Sequence, residues 1–92
     1  MRYIHVRWIH EHPDEPVDLY SELTDDGWEV RKVEIFADGS ATFANRTSRR
    51  GTSRLGQTPT PSLAEINANP QFQGRAIDKD EFEAVWSNAV AQ

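Results

Sequence analysis

Residues 17–36 read VDLYSELTDDGWEVRKVEIF, and this stretch decides the fold. From Val17 to Leu23, apolar and polar residues alternate, which is the period of a β-strand with one buried face. Asp26-Gly27 then predicts a tight hairpin turn, because glycine tolerates a positive φ. In Trp28–Phe36 the apolar residues change parity, which predicts either a β-bulge near Arg31-Lys32 or a strand that is apolar on both faces.

Further elements flank this hairpin on both sides. Alternation from Tyr3 to Ile9 indicates an earlier strand, and Asp38-Gly39 predicts a turn into a short later one. Capping motifs at Ser62 and Asp78 predict the starts of two helices. The predicted strands cover about residues 2–10, 17–23, 28–36 and 40–44, and the helices about 62–69 and 78–90. Strands followed by helices predict an α+β fold: a four-stranded antiparallel meander with two C-terminal helices packed on one face.

The predicted core is aromatic. Phe82, Val85, Trp86 and Ala89 form one apolar stripe on the last helix. Trp8 lies on the apolar face of the first strand, so we expect it to meet this stripe across a sheet–helix interface. Trp28, Trp8 and Trp86 are more typical of core than of a binding surface, and Trp28, beside a turn, is the one we expect to be partly exposed.

Length and composition predict one domain over residues 1–92. The chain has no cysteine, which excludes disulfides, zinc–thiolate sites and a thiol nucleophile. Secreted domains of this size usually depend on disulfides. Charged residues and a histidine interrupt the apolar residues of the N-terminus, so it predicts neither a signal peptide nor a membrane span. These features favour a cytoplasmic protein that does not bind membranes, and no cofactor is predicted.

The charge is uneven along the chain, whose formal net charge is −5. Residues 11–38 contain ten acidic residues against Arg31 and Lys32. Such a segment favours a basic protein partner, because charge complementarity speeds association and selects the partner. The residues predicted to bind this partner are Asp14, Glu15, Asp18, Glu22, Asp25 and Asp26. The outward strand face, which includes Glu22 and Arg31, is expected to be solvated and to form weak cross-strand ion pairs.

A second charged segment is basic. Residues 45–61 are predicted to form a long mobile loop, and loops of this length often have a functional role. Its arginines are an alternative anion-binding site, since guanidinium groups bind phosphate bidentately. These arginines are Arg46, Arg49, Arg50 and Arg54. Extended nucleic acid is disfavoured because the chain as a whole is acidic.

Three histidines are candidates for metal binding or for acid–base catalysis. His5, His10 and His12 have carboxylates nearby in sequence, as a metal site or a general acid–base would require. No distant histidine or cysteine completes a tetrahedral metal set, and no common catalytic or nucleotide-binding motif occurs. The sequence therefore predicts no catalytic residue and no metal ligand, and it disfavours an enzyme. An enzyme would require a pocket that groups His5 or His10 with a carboxylate.

Five short sequence motifs resemble those of a known family. They are DEPV at Asp14–Val17, YSEL at Tyr20–Leu23, WEVRKVEIF at Trp28–Phe36, PSL at Pro61–Leu63 and FEAVW at Phe82–Trp86. Together they resemble a bacterial family of small stand-alone proteins of unknown function. The resemblance spans Tyr3 to Trp86 and implies a bacterial cytosolic protein, but no functional residue.

Two functions follow as expectations. The first is a non-enzymatic protein-binding module with an acidic surface, for example an immunity or antitoxin-like protein that binds a basic toxin. The second is a small-ligand or nucleotide- and phosphate-binding domain that uses the arginine-rich loop 46–54. The open sheet face leaves a homodimer as a further option.

Overall fold

The computed structural model describes residues 1–51 and 53–92, and these form a six-stranded antiparallel sheet and two helices. The strands are β1 Arg2–Trp8, β2 Asp18–Leu23, β3 Glu29–Ile35, β4 Ala41–Ala44, β5 Arg49–Arg50 and β6 Phe72–Ile77; the helices are α1 Leu63–Asn67 and α2 Lys79–Ala91. The order across the sheet is β5-β4-β3-β2-β1-β6. The α+β class is as predicted, and β1 to β4 lie within the predicted ranges. No helix of the described part of the chain is long and apolar enough to cross a membrane.

Two strands were missing from the sequence prediction of a four-stranded sheet. β5 lies inside the predicted loop 45–61 and pairs with β4; position 52 of that loop lies outside the described residues. β6 pairs with β1 along its whole length, from Tyr3 opposite Ile77 to Trp8 opposite Phe72. Its sequence, FQGRAI, has small residues where an alternating strand would show large apolar ones. β6 is stabilised by its pairing with β1, which lies far earlier in the chain. No local sequence pattern reveals this pairing.

The predicted bulge in β3 is present. Glu22 pairs with Arg31 and Leu23 with Glu29, which leaves Val30 as the extra residue of β3. This insertion changes the parity of the strand, so that residues before and after it serve different faces. Gly27, in the turn before β3, has a φ of 93°, which explains the glycine there.

The helices pack on opposite faces of the sheet, so the prediction that both lie on one face is wrong. On the α2 face, Val85, Trp86 and Ala89 pack against residues of β2, β3 and β4, including Val33 and Phe43. On the α1 face, Leu63 and Ile66 pack against residues of β1, β2 and β6. The change of face occurs because β6 runs along the edge of the sheet between the two helices.

Gly74 of β6 allows α1 to approach the sheet. A Cβ atom at this position would lie 3.0 Å from Leu63 Cδ2 and 3.3 Å from Ile66 Cγ2. The capping box at Ser62 is present as predicted, with the Ser62 side chain accepting a hydrogen bond from the Glu65 backbone N–H. This cap fixes the start of a helix of only five residues.

The three tryptophans have different environments. Trp8 stacks on Phe72 at a ring distance of 5.9 Å, on the α1 side of the sheet. It therefore does not meet Phe82 and Trp86, and that prediction is wrong for the same reason as the placement of the helices. Trp86 packs edge-on against Phe43 at 5.2 Å. Trp28 is 42% exposed, as predicted.

Candidate functional site

An open groove of about 530 Å³ lies on the α1 face, between the sheet and the chain from Thr60 to Phe72. Its apolar lining comes mainly from β1, β2, α1 and β6, through Ile4, Val6, Leu19, Ile66 and Phe72. Ligand sites are typically concave and apolar, with a few polar groups that orient the ligand. This groove has the size and lining of such a site.

Ser21 is the small polar residue in the floor of the groove. It is 8% exposed and lies between Ile4 of β1 and Lys32 of β3 in the sheet register. A larger side chain at this position would extend into the groove. The depth of the groove therefore depends in part on Ser21.

The polar wall of the groove is built by β3. Glu29, Lys32 and Glu34 line it, and Lys32 Nζ lies 3.4 Å from Glu29 Oε1. Glu29 also accepts a hydrogen bond from the Gly56 backbone N–H, and Glu34 accepts one from the hydroxyl of the fully buried Ser53. These bonds hold the segment 53–61 against the sheet.

The rim of the groove has a negative charge. Three carboxylates line it, those of Glu29, Glu34 and Glu65, against the single ammonium group of Lys32. The formal charge of the lining is therefore 1 − 3 = −2. An apolar cavity with such a rim is complementary to a ligand that joins an apolar group to a cation.

A partly buried ion-pair cluster lies between α2 and the other face of the sheet. Arg31 donates to both carboxylate oxygens of Glu22, at 2.7 and 2.9 Å, and its Nη1 lies 2.6 Å from Glu83 Oε1. The guanidinium carbon lies 4.9 Å from the ring centre of Phe82 and 5.2 Å from that of Trp86. Glu22 is only 6% exposed. The prediction of a solvated Glu22–Arg31 pair is wrong, because α2 covers it, and Glu22 is not available to a partner.

This cluster predicts a pH dependence of stability. The hydrogen bonds from Arg31 lower the pKa of Glu22, against the opposing effect of burial. The contribution is thus complete above the unfolded pKa of about 4.3, and is lost as the pH falls through the lower folded-state value. We expect the free energy of unfolding, measured in urea, to decrease with acidification below about pH 4 and to do so less steeply in Glu22→Gln. The exposed Glu15→Gln is the control, and an equal slope in the wild type and Glu22→Gln contradicts the prediction.

Asp18 is also engaged within the protein. Its carboxylate lies 2.8 Å from His5 Nε2 and 3.0 Å from Arg7 Nη1, and the His5 ring stacks on Tyr20 at 4.3 Å. The structure thus groups a histidine with a carboxylate. The other ring nitrogen of His5, Nδ1, is buried without a hydrogen-bond partner among the described residues. Neither His5 nor Asp18 lines the groove or the second cavity described below.

His10 and His12 form a local turn. His10 Nε2 lies 2.8 Å from the Pro16 carbonyl, and His10 Nδ1 accepts from the His12 backbone N–H at 2.9 Å. Both ring nitrogens of His10 are therefore occupied. Among residues 1–51 and 53–92, no group of three or more histidine, cysteine or acidic side chains is placed to hold a metal ion.

The other predicted partner-binding residues lie at two separate ends of the sheet. Asp14 and Glu15 are exposed in the loop before β2, whereas Asp25 and Asp26 are exposed in the turn after it. A strand of six residues separates them, which is about 20 Å. The six predicted residues thus do not form one surface.

Three of the four predicted anion-binding arginines share a second cavity. Arg46, Arg49 and Arg54 line an open space of about 580 Å³ beside β4 and β5. Arg50 instead turns to the α2 face, where it donates to the carbonyls of Ala89 and Val90 at 3.2 and 3.4 Å. Neighbouring residues of a strand point to opposite faces, so the pair Arg49-Arg50 is divided between them. The sequence pattern predicts a loop here, and for that reason all four arginines were assigned to one anion-binding site.

The fold is a small α+β domain with two open cavities, and α1 and α2 cover opposite faces of its sheet. The chain belongs to the family described as a domain of unknown function (DUF6881), whose model matches residues 2–91. This agrees with the resemblance to a family of unknown function. No curated protein and no solved structure matches the chain significantly.

Proposed function

We propose that this protein is a non-enzymatic protein-binding module, and that it binds its partner through the groove on the α1 face. The observation that carries the proposal is an apolar cavity of about 530 Å³ whose lining has a net charge of −2. In protein interfaces, buried anchor side chains in such pockets contribute most of the affinity. The anchor here is an apolar side chain of the partner.

Charge complementarity selects the kind of partner. Carboxylates line the groove, and the exposed Asp14 and Glu15 add negative charge at one end of the sheet. Lysine or arginine residues beside the anchor would find carboxylate partners, and the overall charge of −5 would speed their approach. The proposed partner is therefore a basic protein.

Filling the groove should weaken this binding. In Ser21→Leu the larger side chain occupies the floor of the groove without introducing a charge. We expect affinity for the partner, or for basic peptides selected from a random library, to fall by about tenfold or more. The free energy of unfolding should stay equal or increase by about 1 kcal/mol, because added apolar surface is buried. Isothermal titration and urea denaturation measure the two effects.

Controls separate the groove from the rest of the surface. Ser87→Leu makes the same change at an exposed position of α2 and should leave binding unchanged. Glu65→Gln removes one charge from the groove lining, keeps a residue that can complete the capping box, and should weaken binding, whereas Glu15→Gln removes one distant charge and should have a smaller effect. Selected peptides that are acidic, or that bind Ser21→Leu as well as the wild type, would overturn the proposal.

We further propose an immunity or antitoxin-like role, in which the partner is a basic toxin. Small size and a net charge of −5 favour this role, since an acidic protein can cover the basic surface of a nuclease-like toxin. We expect the gene to follow a toxin gene directly, and co-expression to protect cells from that toxin. If Ser21→Leu still protects the cells, the immunity role does not depend on the groove. If the wild type fails to protect against the adjacent toxin, the immunity role is contradicted.

A further inference from the structure

We infer that the cavity lined by Arg46, Arg49 and Arg54 binds the diphosphate group of a small molecule such as a nucleoside diphosphate. None of the residues that line this cavity is acidic. Guanidinium groups bind phosphate oxygens bidentately through charge-assisted hydrogen bonds. This site is separate from the groove of the proposed function and does not depend on it.

Each arginine projects from a backbone that the structure fixes. Arg46 lies in the β4–β5 turn, where Asn45 Oδ1 accepts from the backbone N–H groups of Thr47 and Ser48 at 3.0 and 2.7 Å. Arg49 is paired in the sheet with Ala44. A site whose backbone is already ordered loses less entropy when it binds a ligand.

Arg54 directly follows Ser53, whose side chain is fixed by hydrogen bonds. Ser53 is fully buried, and its hydroxyl lies 2.6 Å from Thr42 Oγ1 and donates to Glu34. Among the described residues, no ion pair involves Arg46 or Arg54. Their side chains are thus free to receive an anion.

The rest of the molecule selects a compact anion over a nucleic acid. The chain has a net charge of −5, so a long polyanion that left the cavity would meet an acidic surface. A diphosphate is compact enough to lie within the cavity that the three arginines line, and distant carboxylates are screened over about 8–10 Å at physiological salt. Thr47, Ser48 and Gln57 add uncharged polar groups, and Ala44 and Leu55 add apolar surface for the remainder of the ligand.

The test is an NMR titration of the whole chain with inorganic pyrophosphate, adenosine diphosphate and a single-stranded RNA oligonucleotide. We expect pyrophosphate and the nucleotide to shift the backbone amides of residues 45–49 and 54, with the nucleotide also shifting Leu55. Each of Arg46→Gln, Arg49→Gln and Arg54→Gln should weaken binding by about threefold to tenfold, and the triple variant should remove it. Arg49→Lys should retain part of the affinity, since it keeps the charge but loses the bidentate geometry.

Matched variants define the outcomes. Arg2→Gln removes one exposed positive charge elsewhere and should leave binding unchanged, as should Ser21→Leu in the groove. Absence of any shift at millimolar pyrophosphate and nucleotide would overturn the inference. Binding of RNA alone would also overturn it and favour a nucleic-acid site. Binding that survives in the triple variant would place the anion elsewhere.

Discussion

Replacing Arg31 with alanine is expected to lower the free energy of unfolding by about 3–5 kcal/mol, because it removes the guanidinium group that is paired with the buried carboxylate of Glu22. Glu22, which is 6% exposed in the wild type, would lose both hydrogen bonds from the guanidinium group. The rings of Phe82 and Trp86 would also lose the group that packs between them. Urea denaturation of the wild type and the variant measures the difference.

Two further variants test this explanation. Arg31→Lys keeps the charge but cannot form two parallel bonds to Glu22, so we expect it to recover only part of the stability. The double change Glu22→Leu with Arg31→Met removes both charges and should be clearly more stable than Arg31→Ala, since an apolar pair avoids the cost of burying a charge. A loss below about 1 kcal/mol in Arg31→Ala would mean that the cluster behaves like a surface ion pair.

Phe82→Ala is expected to destabilise the protein by about 3–5 kcal/mol, the usual cost of removing a buried phenylalanine. Phe82 is fully buried, lies 5.5 Å from the Tyr3 ring and covers the guanidinium group of Arg31. Phe82 lies in the first turn of α2 and contacts residues of β1 and β3 there. Thermal and urea unfolding, monitored by tryptophan fluorescence, measure the loss.

Because a domain of this size has a total stability of about 5–15 kcal/mol, Phe82→Ala could leave a substantial unfolded fraction at room temperature. Phe82→Leu is therefore included and should cost less, since it retains most of the apolar volume. Val90→Ala, at a 42% exposed position of the same helix, should change stability by less than about 1 kcal/mol. Equal effects of Phe82→Ala and Val90→Ala would show that α2 is not anchored through its first turn.

Local patterns predicted the elements whose signals lie within a few residues. Alternation and Asp-Gly turns located β1 to β4, and capping residues located both helices. β6 was missed because its stability comes from pairing with β1, and FQGRAI has no clear alternation. Without β6, the sequence does not show that the chain crosses from one face of the sheet to the other between α1 and α2. The wrong placement of the helices and of Trp8 follows from this one omission.

The candidate sites could be predicted only in part. The arginine cavity was visible as a run of basic residues, and only the strand character of Arg49-Arg50 shows why one of the four points away. The exposure of Glu22 was misjudged because sequence gives charge but not burial, and Glu22 lies under α2, which comes much later in the chain. The groove is formed by residues spread along the chain from Ile4 to Phe72, so no motif marks it.

The pairing of β1 with β6 has a consequence for biosynthesis. Tyr3 pairs with Ile77, so a residue that is synthesised early pairs with one that is synthesised much later. Until then, the apolar side of the N-terminal strand lacks both its edge neighbour and the short helix that shields it. Contacts of such wide sequence separation slow folding, and nascent chains that expose strand edges are prone to aggregate. Chains truncated before residue 72 should accordingly need chaperones to remain in solution.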